Sequence, residues 1–123
     1  MTREIRIPDA THPITVEPTV GRVVVKAGGR IIAESTAALT LRESTYPPVQ
    51  YIPLSDVDPA VLEPSDAKTY CPYKGEASYY SLSVPGQEAP NAVWTYETPY
   101  DAVSDIASHV AFYPDKVEIT VTE

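Results

Sequence analysis

From Ile14 onward the apolar positions fall in short runs where β-branched and aromatic residues alternate with polar ones, the period of an extended strand. Ile14-Thr15-Val16 lies between Pro13 and Pro18. Residues 22–26 and 30–34 flank Gly28-Gly29, which predicts a hairpin whose tight turn needs the positive φ angles glycine adopts freely. In 37–42, Leu39 and Leu41 share one face while Ala38, Thr40 and Arg42 share the other. Residues 49–52 are a brief strand between Pro47-Pro48 and Pro53. Asp58-Pro59 predicts one helical turn, with Asp58 as its cap. Pro64-Ser65-Asp66 reads as a turn. Along 77–84, Tyr80, Leu82 and Val84 form the core face, opposite Ala77, Tyr79, Ser81 and Ser83. Ala92, Trp94 and Tyr96 share the next face. Thr98-Pro99 starts a short helix in which Val103, Ile106 and Ala107 line one side and which ends near Ser108. Residues 109–113 and 117–121 are extended again.

These elements predict a mainly β fold: a single antiparallel domain of about eight short strands with one short helix. Residues 1–12 read as a flexible N-terminal arm and 13–123 as the domain. Thirteen prolines against five glycines leave no room for long helices. A hydrophobic share of 43% sets disorder aside. The net charge of -8 repels phosphate backbones, so no nucleic-acid polymer is expected as a partner. No apolar run suits a membrane span, and the first residues lack a signal-peptide core. One cysteine cannot form an intrachain disulfide, which points to a reduced, cytoplasmic setting.

Chemistry concentrates in residues 69–80, where the lone cysteine stands among four tyrosines and a lysine. Cys71 is a thiol that Lys74, three residues on, would activate as a cation; His109 would act as a base from another strand. These make Cys71 and Lys74 the catalytic candidates, against a reading of Cys71 as a small buried hydrophobe. Tyr73, Tyr79, Trp94, Tyr96 and Tyr113 combine apolar rings with polar handles, which suits the walls of a ligand pocket. Lys74, Arg42 or Arg30 would orient an anionic or carbonyl group there. One Cys and two His fall short of a structural zinc site, and no other metal or cofactor is expected. Asp56 and Asp58 form an acidic pair of the magnesium-binding kind, but they precede Pro59 and also read as helix capping.

Three strings carry a family resemblance: Tyr51-Ile52-Pro53 with Asp56-Val57, then Thr69-x-Cys71-Pro72-Tyr73-Lys74-Gly75-x-Ala77-x-Tyr79, then Ala92-Val93-Trp94-x-Tyr96-x-x-Pro99. With Ile106 and Ala111-Phe112-Tyr113 they resemble the bacterial family catalogued as domain of unknown function 427. The resemblance implies a β-tent fold, an architecture shared with methionine sulfoxide reductase B and the thalidomide-binding domain of cereblon. It also brings a nucleotidyltransferase label. Three functions follow as expectations. The first is an unidentified small molecule bound in an aromatic pocket around the Cys71–Gly75 turn, with or without catalysis. The second is nucleotide processing, with Lys74 on phosphate and Asp56 or Asp58 on a metal. The third is a non-catalytic interaction module or homodimer using the aromatic face.

Overall fold

The computed structural model describes residues 4–123. Among them ten strands form: β1 Ile14–Pro18, β2 Arg22–Ala27, β3 Arg30–Ser35, β4 Leu39–Glu43, β5 Val49–Pro53, β6 Leu62–Cys71, β7 Gly75–Val84, β8 Gln87–Thr95, β9 His109–Phe112 and β10 Glu118–Thr122. Every pairing is antiparallel. Seven strands run β1-β4-β5-β9-β8-β7-β6, and three run β10-β2-β3. The fold is mainly β, as the alternation predicts. No helix among the described residues is long and apolar enough to cross a membrane.

The β2–β3 hairpin turns at Gly28 and Gly29 with φ of 59° and 75°. Both central residues are left-handed, the geometry whose twist matches the flanking strands. Asp58 caps the turn Pro59–Val61 by accepting from the Ala60 amide at 2.9 Å.

The expected turn at Pro64 is instead part of β6. Proline cannot donate to a ladder and so is confined to edges or bulges. The sheet order places β6 at an edge, paired only with β7, and the register slips between Pro64 and Lys68.

The expected helix is also different. Residues Asp101–Ile106 form tight 3-10 turns broken at Val103 (φ -128°), with Tyr100 rather than Thr98 at the N-terminal boundary. Val103 and Ile106 are both buried, and Ala107 is half-buried. The i, i+3 spacing of Val103 and Ile106 also aligns side chains in a 3-10 turn, so it cannot separate the two geometries. The Tyr100 amide is drawn to the Lys74 carbonyl at 3.0 Å, which fixes where the turns begin.

Apolar residues cover both faces of the seven-stranded sheet. On one face Leu82, Val84, Val93, Val110 and Phe112 pack against Val23, Val25 and Ile32 of the small sheet, with Tyr80 partly buried beside them. On the other, Leu41, Tyr51, Ala77, Tyr96 and Ala111 enclose Val103 and Ile106. The Ala77–Tyr79 side of β7 therefore faces a second core. Burying a side chain such as Ile106 stabilises the fold by about 1.5–3 kcal/mol.

Candidate functional site

At the margin of this second core lies a cavity of about 170 Å³, lined by Leu41, Glu43, Tyr46, Pro47, Val49, Tyr51, Lys74, Tyr79, Trp94, Tyr96 and Tyr113. The period of two places Leu41 and Glu43 on one side of β4. Register brings Tyr79 opposite Trp94 across β7 and β8, and Tyr51 opposite Leu39 across β5 and β4. Tyr113 follows β9, and its ring lies 4.6 Å from Trp94 at a tilt of 51°. Tyr113 and Tyr46 are exposed and form the rim.

Lys74 arrives from the β6–β7 turn. Cys71 pairs with Gly75, and the Lys74 amide donates to the Cys71 carbonyl at 3.2 Å. Gly75 has a φ of 111°, a conformation that L side chains rarely adopt. Lys74 Nζ donates to Glu43 Oε1 at 2.5 Å. His12 Nε2 donates to Glu43 Oε2 at 2.8 Å, and the His12 ring stacks on Tyr73 with centroids 4.2 Å apart. One carboxylate thus ties the turn to the segment before β1. That segment also meets the turn through the Arg6 amide, which donates to the Pro72 carbonyl at 2.9 Å.

The polar groups respond to this setting. Burial pushes the Glu43 carboxyl up, but the hydrogen bonds and charges of Lys74 and His12 outweigh it, leaving it below the usual carboxylate range. Burial drives the Tyr51 and Tyr96 phenols far above their ordinary range. Hydrogen bonding from Trp94 only partly offsets this for Tyr51. Tyr113 is raised by burial and then by its contact with Tyr79. The Tyr79 hydroxyl lies 2.9 Å from Thr69 Oγ1. This cavity can hold a small neutral or polar group against aromatic faces, with one ion pair in its wall.

Of the residues singled out from the sequence, Lys74, Tyr79, Trp94, Tyr96 and Tyr113 line this cavity. Cys71 is half-buried and packs against the second core beside them. Tyr73 lies elsewhere, along a groove with Ile5, Arg6, Ile7, Tyr100, Asp101 and Ala102. Arg42 points to the opposite side of β4, into a groove with Glu17, Thr40 and Gln50. His109 Nδ1 donates to the Ala107 carbonyl at 2.8 Å, outside the cavity lining. Asp56 accepts from Ser35 at 2.6 Å, and Asp58 pairs with Arg30 at 2.8 Å.

Sequence reasoning missed Glu43, Tyr51 and His12 as site residues. For Glu43 the signal was present: it continues the apolar face of Leu39 and Leu41, and an acid there must find a partner. His12 gave no such signal, because its contact spans the chain from the opening segment to the end of β4.

A family model described as Domain of unknown function (DUF427), under the short name NTP_transf_9, matches residues 15–123. No curated protein matches the chain.

Proposed function

The chain belongs to the family of domain of unknown function 427, and from that premise we propose that it is a small-molecule-binding domain whose site is the aromatic cavity beside the Lys74 turn. The carrying observation is convergence: Tyr51, Tyr79, Trp94, Tyr96 and Tyr113 come from three strands and two strand ends to meet the Lys74–Glu43 pair around one space. Aromatic walls with a few placed polar groups are the usual make-up of ligand pockets. At about 170 Å³ the space holds roughly six waters, so it takes a ring-sized molecule or one end of a larger one. Lys74 and Cys71 are the residues at this end of the sheet that would carry any reaction. The same reading takes the fold as a β-tent and places the domain in the cytoplasm.

Nucleotide processing has less support. Asp56 and Asp58 are committed to Ser35, the Ala60 amide and Arg30, and neither lines the cavity that Lys74 lines. The test is a thermal-shift screen of small metabolites, followed by the indole N–H resonance of Trp94, the only tryptophan. A ligand should raise the melting temperature and move that resonance. Hits that stabilise the protein while leaving Trp94 unmoved would relocate the site, and a screen without hits would remove it.

A further inference from the structure

Three groups around the cavity already have partners. Lys74 gives one of its three protons to Glu43, the Trp94 indole serves Tyr51, and the Tyr79 hydroxyl is bonded to Thr69. Tyr96 differs. It is 7% exposed, yet among the described residues its hydroxyl has no hydrogen-bond partner. Every fully buried side-chain nitrogen or oxygen of the described residues does have one, so this hydroxyl must face open space. The space Tyr96 lines is the cavity. Tyr51 adds a second donor: its oxygen accepts the indole N–H at 3.1 Å, which leaves its own proton to give. Burial keeps both phenols protonated and able to donate. Both protons are therefore available to an acceptor that enters the cavity.

The charge in the wall is balanced, because Glu43 already holds Lys74. A charged ligand would lose its hydration there without finding a free counter-charge. The rings of Tyr51, Trp94 and Tyr113 favour a flat partner.

We propose that the cavity receives a flat, neutral molecule through a carbonyl oxygen, bound by the hydroxyls of Tyr96 and Tyr51. This rests on the small-molecule reading above and names the ligand class.

The experiment titrates acetophenone, ethylbenzene and benzoate into the full chain and follows the Trp94 indole N–H resonance. Acetophenone should bind about tenfold tighter than ethylbenzene, because a site built to donate hydrogen bonds discriminates against a ligand lacking the acceptor. Tyr96→Phe should bring that ratio close to one while ethylbenzene still binds. Tyr51→Phe, read the same way, keeps the question open should Tyr96→Phe not fold. Equal affinity for the two neutral probes in the wild type would overturn the carbonyl inference and leave the pocket standing. Preference for benzoate would overturn it in favour of an anion site on Lys74. No shift with any probe would overturn the pocket reading, and this inference with it.

Discussion

Trp94 reaches from β8 to give its indole N–H to the Tyr51 hydroxyl of β5 at 3.1 Å, and the two rings meet edge to face, 6.4 Å apart at 89°. β9 separates these strands in the sheet, so the bond spans two inter-strand steps. It fixes the Trp94 ring as a wall of the cavity. Tyr51→Phe should keep the ring packing and lose the acceptor, at a cost of about 1–2 kcal/mol. Urea unfolding followed by Trp94 emission measures this, with the midpoint falling and the slope unchanged. An unchanged midpoint would mean that water or another group replaces Tyr51 at no cost.

Lys74→Met should destabilise the protein by about 1–2 kcal/mol at neutral pH, since Glu43 loses the stronger of its two partners. The pH dependence has a definite sign. The folded Glu43 carboxyl lies below its ordinary value of 4.5, so its contribution is present above that pH and is lost as pH falls through the folded value. Without Lys74, its hydrogen bond and its charge no longer hold the carboxyl down, and the folded value rises. Acid unfolding of the variant should therefore begin at a higher pH than in the wild type. Adding Glu43→Gln to Lys74→Met should bring the acid midpoint back down. An acid midpoint that ignores Lys74 would show the pair to be solvated and weak.

Gly75 sets the geometry that presents Lys74. A Cβ added there would meet the Thr98 carbonyl oxygen no closer than 3.5 Å, so the obstacle is conformation rather than space. Gly75→Ala should cost about 1–3 kcal/mol through the strained φ of 111°. Gly86→Ala, at φ 81° with nothing within 4 Å, lies nearer the left-handed well and should cost about 1–2 kcal/mol. Thermal unfolding of the two variants side by side checks the order. A larger loss at Gly86 would reverse the assignment.

How much of this was legible depends on range. The Gly28-Gly29 hairpin and the Asp58 cap were readable because their determinants lie within a few residues. The shared face of Trp94 and Tyr96 was readable from the period of two, and both line the cavity. β6 was missed because Pro64 argues against a strand unless its edge position is known, and edge position is a property of the whole sheet. Charge alone groups Arg42 with the pocket, although its alternation with Leu39 and Leu41 puts it on the other face. Tyr51 becomes a site residue only once β4, β5 and β9 come together. The two-sided core was hidden for the same reason: alternation says which residues share a face but not whether the second face is also covered.

Alkaline pH should destabilise the protein through two buried phenols. Burial raises the folded phenols of Tyr51 and Tyr96 well above the ordinary value of 10.0. In the unfolded chain both titrate near that ordinary value. Below it the two states bind the same protons, and the stability due to the neutral buried phenols is fully present. Above it the unfolded state releases protons that the folded state retains, so stability falls as pH rises toward the folded values. Each phenol contributes a slope of about 1.4 kcal/mol per pH unit in that window. Urea unfolding from about pH 9 to about pH 11 should reveal a steepening loss of stability, and Tyr96→Phe should remove one phenol's share of the slope. The phenolate absorbance gives an independent reading: the folded protein should hold back the signal of these two tyrosines until it unfolds. If all nine tyrosines ionise together while Trp94 emission still reports a folded chain, the Tyr96 hydroxyl is solvated, and the cavity is wetter than its aromatic walls imply.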